Sequence, residues 1–149
     1  MLWNDSKVVQ GVDQVFASLR NSSFMFYPTG SRFFGCQQEE SDYDFFVQDK
    51  EEYDQRKLQL FLEQNNFDRD LSAVFYEDTE VLAVYSHKYH KIHIQIVANA
   101  EHKQRIQELI KQNNIMFYIY HWSKLQKIEF WDFCYQLYYT QPDKTLIQN

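Results

Sequence analysis

Gly30-Ser31-Arg32-Phe33-Phe34-Gly35 and, after a short polar stretch, Ser41-Asp42-Tyr43-Asp44-Phe45 decide how this chain reads. The chain holds only 3 glycines, and two of them stand here. Upstream, Phe24 to Tyr27 is an apolar run that reads as a buried strand, ended by Pro28-Thr29-Gly30. A glycine there lets the backbone turn tightly and approach another group closely. Ser31-Arg32-Phe33-Phe34-Gly35 reads as a short helical turn. Amides opening a helix can hold phosphate oxygens; the Ser31 hydroxyl adds a donor and Arg32 adds charge. Ser31 reads equally as a plain helix N-cap.

Asp42 to Val47 reads as a strand. Its period of two puts Asp42, Asp44 and Phe46 on one face and Tyr43, Phe45 and Val47 on the other. Two carboxylates that close repel unless a cation lies between them. Mg²⁺ takes hard oxygen ligands, commonly one or two carboxylates plus substrate phosphates.

Outward from this segment, helices and strands alternate. Residues 4–20 form a helix, with Val8, Val9, Val12, Val15, Phe16 and Leu19 on one face. Residues 50–66 form another, with Leu58, Phe61 and Leu62 inward and Asn65-Asn66 at its end. Three strands follow, over 73–76, 81–86 and 92–97, with turns at 77–80 and around 88–90. Ile92, Ile94 and Ile96 alternate strictly with His93, Gln95 and Val97. A helix spans 101–113, residues 115–120 are a strand or a lead-in, and a long aromatic helix spans 122–139. The reading is one α/β (α+β) domain over 1–142, a mixed sheet with helices mainly on one side and an added C-terminal helix, then a tail over 143–149.

Composition agrees with a globular domain. The chain has 149 residues, 44% of them hydrophobic and 24% charged. That suits one domain with its own core. The net charge of −6 argues against general nucleic-acid binding through phosphates. No apolar run approaches a membrane span, and the N-terminus lacks the pattern of a signal peptide. The 2 cysteines form no framework, which fits a reduced cytoplasmic setting.

The glycine turn followed by Asp-x-Asp on the next strand resembles the DNA polymerase β-like nucleotidyltransferase superfamily, in its small bacterial or phage form. The likeness is sharp over 24–47 and diffuse over 48–99. It implies transfer of an NMP from a nucleoside triphosphate to a hydroxyl, with Mg²⁺ or Mn²⁺ on Asp42 and Asp44. It also implies phosphate contacts from Gly30, Ser31 and Arg32. The third carboxylate of that family would fall at His93, or less well at Gln95. Neither is an acid. His93 is then either a hydrogen-bonded sheet histidine or a nitrogen ligand filling that place, and turnover is slow or absent. The other reading is a non-catalytic, antitoxin- or anti-defence-like module that binds a protein through the aromatic C-terminal segment. His87, His90 and His93 straddle a turn and do not read as a structural zinc site.

Overall fold

The structure, a computed structural model, describes residues 11–49, 55–72, 81–119, 121–123, 125–127, 129–130 and 132–134. Its elements are α1 (Val12–Arg20), β1 (Tyr27–Thr29), α2 (Gly30–Phe34), β2 (Tyr43–Gln48), α3 (Gln55–Gln64), β3 (Phe67–Arg69), β4 (Val81–His87), β5 (Ile92–Val97), α4 (Ala100–Gln112) and α5 (Ile115–Ile119). Five strands form one mixed sheet in the order β1-β2-β5-β4-β3. Only β2 and β5 run parallel; the other neighbours are antiparallel.

The alternation in β2 and β5 sorts the two faces. On one face Val47, Ile92, Ile94 and Ile96 are buried with Val12, Val15 and Leu19 of α1 and Leu58 and Leu62 of α3. On the other, Phe46 and Val97 are buried with Ala100 at the start of α4. A further apolar cluster joins Phe34 of α2, Ile106 and Ile110 of α4, and Met116 and Ile119 of α5. Helices therefore cover both faces, not mainly one as expected. Each face of the inner strands carries enough apolar area to require a partner layer.

Two glutamines fix α4 across the sheet. At its start, the Gln48 side chain accepts from the Ala100 N–H (2.7 Å) and donates to the Ala98 carbonyl (2.7 Å). Asn99 caps the same end by accepting from the His102 N–H at 3.0 Å. Further along, fully buried Gln107 accepts from the Thr29 hydroxyl and donates to the Pro28 carbonyl, both at 2.8 Å. The junction between β1 and α2 is thus tied to the middle of α4.

Several expectations need correction. The first strand lies at 27–29, not 24–27, and contains Pro28; it is an edge strand, where a missing N–H breaks no ladder. Residues 67–69 form a strand that the sequence did not signal. Residues 115–119 are helical, entered through Asn114 at φ 54°, a left-handed conformation asparagine tolerates. The expected strand at 73–76, the turn at 77–80, the start of the first helix and the tail at 143–149 lie outside the described residues. Of the long C-terminal helix, residues 125–127, 129–130 and 132–134 are helical.

His87, at the end of β4, is buried with its ring edge-on to Phe67 at 4.9 Å. Its Nδ1 accepts from the N–H groups of Tyr89 (3.1 Å) and His90 (3.3 Å). Burial, with the nearby charge of His90, lowers its pKa to about 4. Unfolded, the ring titrates near 6.5. Between those values the unfolded chain binds more protons, so stability falls as pH drops from about 6.5 toward 4. Urea unfolding at pH 7 and pH 5 should show this: His87→Leu should lose about 2 kcal/mol less than the wild type over that interval. Equal losses would refute a neutral, buried His87.

Candidate functional site

The parallel pairing of β2 with β5 builds the site. Asp44 stands opposite Thr29 of β1 on one side and His93 of β5 on the other. Partners in register share a face, so Asp44 and His93 project together, with Asp42 two residues back on the same side. His93 Nδ1 lies 3.2 Å from Asp44 Oδ1 and 3.3 Å from Asp42 Oδ2. One imidazole nitrogen thus sits between both carboxylates. The side chains keep 25% (Asp44), 33% (His93) and 41% (Asp42) of their surface exposed, so the site is open to solvent on one side.

The hydrogen bond to Asp44 raises the pKa of His93 above its ordinary value. The charges of Asp44, Asp42 and Asp70 act in the same direction, and burial opposes them.

Gly30 closes the site from the β1 side. It holds φ +78°, which favours glycine, and its Cα faces the Asp44 side chain directly. A Cβ there would lie 3.0 Å from Asp44 Cβ and would collide with Asp44 Oδ2. Thr29, just before it, is the residue tied to Gln107. Ser31 is half-buried in the first turn of α2, and its carbonyl accepts from Gly35 (2.9 Å) and Cys36 (3.0 Å).

Arg32 points elsewhere. Its Nε and Nη2 donate to the Ser41 carbonyl (3.2 and 3.0 Å), and Nη2 also donates to the Glu39 carbonyl (3.1 Å). The guanidinium stands over the Tyr43 ring, 4.0 Å from its centroid. Arg32 therefore clamps the turn that delivers Asp42. With Ser41 and Tyr43 it lines a separate cavity of about 400 Å³.

Sequence reading missed Asp70 and Ser86. Ser86 of β4 is the register partner of His93. Its hydroxyl donates to Asp70 Oδ2 at 2.8 Å, while Asp70 Oδ1 accepts from the N–H (3.0 Å) and hydroxyl (2.7 Å) of Ser72. These bonds from Ser72 and Ser86 hold the Asp70 pKa below its ordinary value. A charged carboxylate thus stands on the β4 side of His93. The only available signal was Asp70-Leu71-Ser72, a spacing that favours a side-chain-capped turn.

Among the described residues, Asp42, Asp44 and His93 form a group able to hold a metal ion, their ligand atoms all within 4.8 Å of one another. His87 and His90 do not join them: their rings stack on each other at 5.1 Å, and His87 is buried against Phe67. Gln95 follows His93 on the same face of β5, and its amide carries no charge.

The contact between Gly30 and Asp44 makes a double-mutant test possible. Gly30→Ala should destabilise by about 2–4 kcal/mol, combining left-handed backbone strain with overpacking. In an Asp44→Gly background the same change should cost less by about 1–3 kcal/mol, because the clash is gone. Additive costs in urea melts would show that Gly30 and Asp44 do not touch.

Comparison of the chain with family models, curated proteins and solved structures finds no match, so the chemistry of the site rests on its own geometry.

Proposed function

We propose that this chain is a nucleotidyltransferase-type domain that binds a nucleoside triphosphate through a divalent cation and transfers NMP slowly or not at all. The observation that carries this reading is the meeting of Asp42, Asp44 and the Gly30 turn at one point, with His93 beside them. Asp42 and Asp44 would hold the cation. Gly30 and Ser31 flank Asp44 where phosphates would meet the backbone. Arg32 supports Asp42 from behind.

Mg²⁺, implied by the resemblance, fits part of this donor set. The two carboxylates suit it; the imidazole nitrogen does not. The cation would neutralise phosphate charge and polarise the α-phosphate. Deprotonating the acceptor hydroxyl would fall to this chain's own groups, and the His93 nitrogen nearest the acids is already engaged by both of them. Loss of one metal-binding carboxylate costs several kcal/mol of transition-state stabilisation, or orders of magnitude in rate.

A second reading has its own observation. Phe117 (50%), Tyr118 (74%), Leu125 (46%) and Phe133 (61%) are well exposed along α5 and the helical residues beyond it. Exposed aromatic and aliphatic residues grouped in this way suit a protein partner. The antitoxin- or anti-defence-like module is therefore the alternative, and it is compatible with retained nucleotide binding in a cytoplasmic setting.

Calorimetry with ATP should show binding in the presence of Mg²⁺ or Mn²⁺, with loss in EDTA and in Asp44→Ala. Equal affinity in EDTA would refute the cation-bridged site. With labelled triphosphates, turnover should stay far below about 1 s⁻¹, the low end of ordinary enzymes. A faster wild-type rate would overturn the weakened-transferase reading.

A further inference from the structure

We infer that Asp42, Asp44 and His93 form a mixed nitrogen–oxygen site for a single borderline transition ion, of the Zn²⁺ or Co²⁺ kind, in preference to Mg²⁺. This deepens the proposed reading and rests on it only for the place of the cation.

The donor spacing comes first. His93 Nδ1 is 3.2 and 3.3 Å from the two carboxylate oxygens. Bonds of about 2.0–2.1 Å in a tetrahedral shell set neighbouring donors about 3.3–3.4 Å apart. An octahedral Mg²⁺ shell at about 2.0–2.1 Å would set them about 2.9 Å apart. Both nitrogen–oxygen separations stand near the tetrahedral edge, and all three donors lie within 4.8 Å of one another.

Donor chemistry points the same way. Imidazole nitrogen suits zinc-like ions, whereas Mg²⁺ takes oxygen and resists partial dehydration. All three ligands stand on or beside paired, parallel strands. Asp44 and His93 are in register, and the Tyr43 N–H donates to the Lys91 carbonyl at 2.8 Å. The carbonyl just before Asp42 is held by Arg32. On the β4 side of His93, its register partner Ser86 is held by Asp70, which fixes the strand beside the ring. Partial exposure of all three side chains leaves room for water or a phosphate oxygen in the fourth position.

Almost any protein site binds Zn²⁺ more tightly than Mg²⁺, so the decisive measurement is how that ratio changes with residue 93. The chelator-treated chain would be titrated with Zn²⁺, Co²⁺ and Mg²⁺ alone, without nucleotide. We expect one ion per chain and a Co²⁺ visible spectrum of low-coordinate nitrogen–oxygen type. His93→Asn should weaken Zn²⁺ and Co²⁺ binding about tenfold or more and leave Mg²⁺ nearly unchanged. His93→Asp should strengthen Mg²⁺ and narrow the Zn²⁺-to-Mg²⁺ ratio by at least about tenfold. An unchanged ratio in both variants overturns the assignment. If neither variant folds, NMR of the wild type decides: Zn²⁺ must shift the His93 ring signals, and their invariance overturns it. Zn²⁺ binding without any ATP binding would defeat the nucleotide reading and leave this one standing. Metal-dependent ATP binding with a ratio indifferent to residue 93 would do the reverse.

Discussion

Two carboxylates on one strand face set the terms for everything around them. At about 5 Å, like charges in a half-buried setting repel by about 3 kcal/mol. In this chain the His93 Nδ1 stands within 3.3 Å of both, and a proton bound there, which the acids favour by raising its pKa, eases that repulsion. The offset depends on topology, because β5 reaches the side of β2 only through the parallel pairing that opposes Asp44 to His93. A one-residue slip would send His93 into the apolar layer of α1 and α3 and expose Ile92 and Ile94 in its place.

The other walls of the site are held from a distance. Gln107 ties Thr29, Thr29 precedes Gly30, and Gly30 packs on Asp44. Gln48 anchors the start of α4 to β2 itself. One helix thus fixes the glycine turn relative to the strand bearing the acids, through a buried and a half-buried amide that both keep their partners. Arg32 does the same for Asp42 by holding the Ser41 carbonyl. Three long polar side chains, none of them in the donor group, set where the three donors stand.

The strands that carry the site were legible because a period of two is local. Asp42 to Val47 and Ile92 to Val97 announce their faces in six residues each, and the sheet keeps those faces. The short edges were not. β1 contains a proline, and β3 is three residues long; both exist because a neighbour offers a ladder, not because their residues prefer extension. The apolar run at 115–119 has no period to read, and its helical state follows from packing Met116 and Ile119 beside Ile106 and Ile110. Within the site, the position of His93 followed from alternation. The redirection of Arg32 and the approach of Asp70 through Ser86 did not, since both depend on contacts made only once the strands are assembled.

A histidine beside two carboxylates changes more than the ligand count. Three carboxylates would hold each other apart until cations arrived, and the site would depend on metal for its geometry. With His93 among them, the protein carries its own compensating group, and the donors converge through protein contacts alone. The same arrangement limits what the site can attract. A cation entering here would have to displace the imidazole's contacts with both acids, and it would meet two carboxylate charges. Negative charge enough for one cation is present; a second would have to draw on Asp70, which already spends both oxygens on Ser72 and Ser86. A paired-ion clamp across attacking and leaving oxygens is therefore poorly supported by these residues. Under the proposed reading, these residues would orient a phosphate-bearing ligand through one ion.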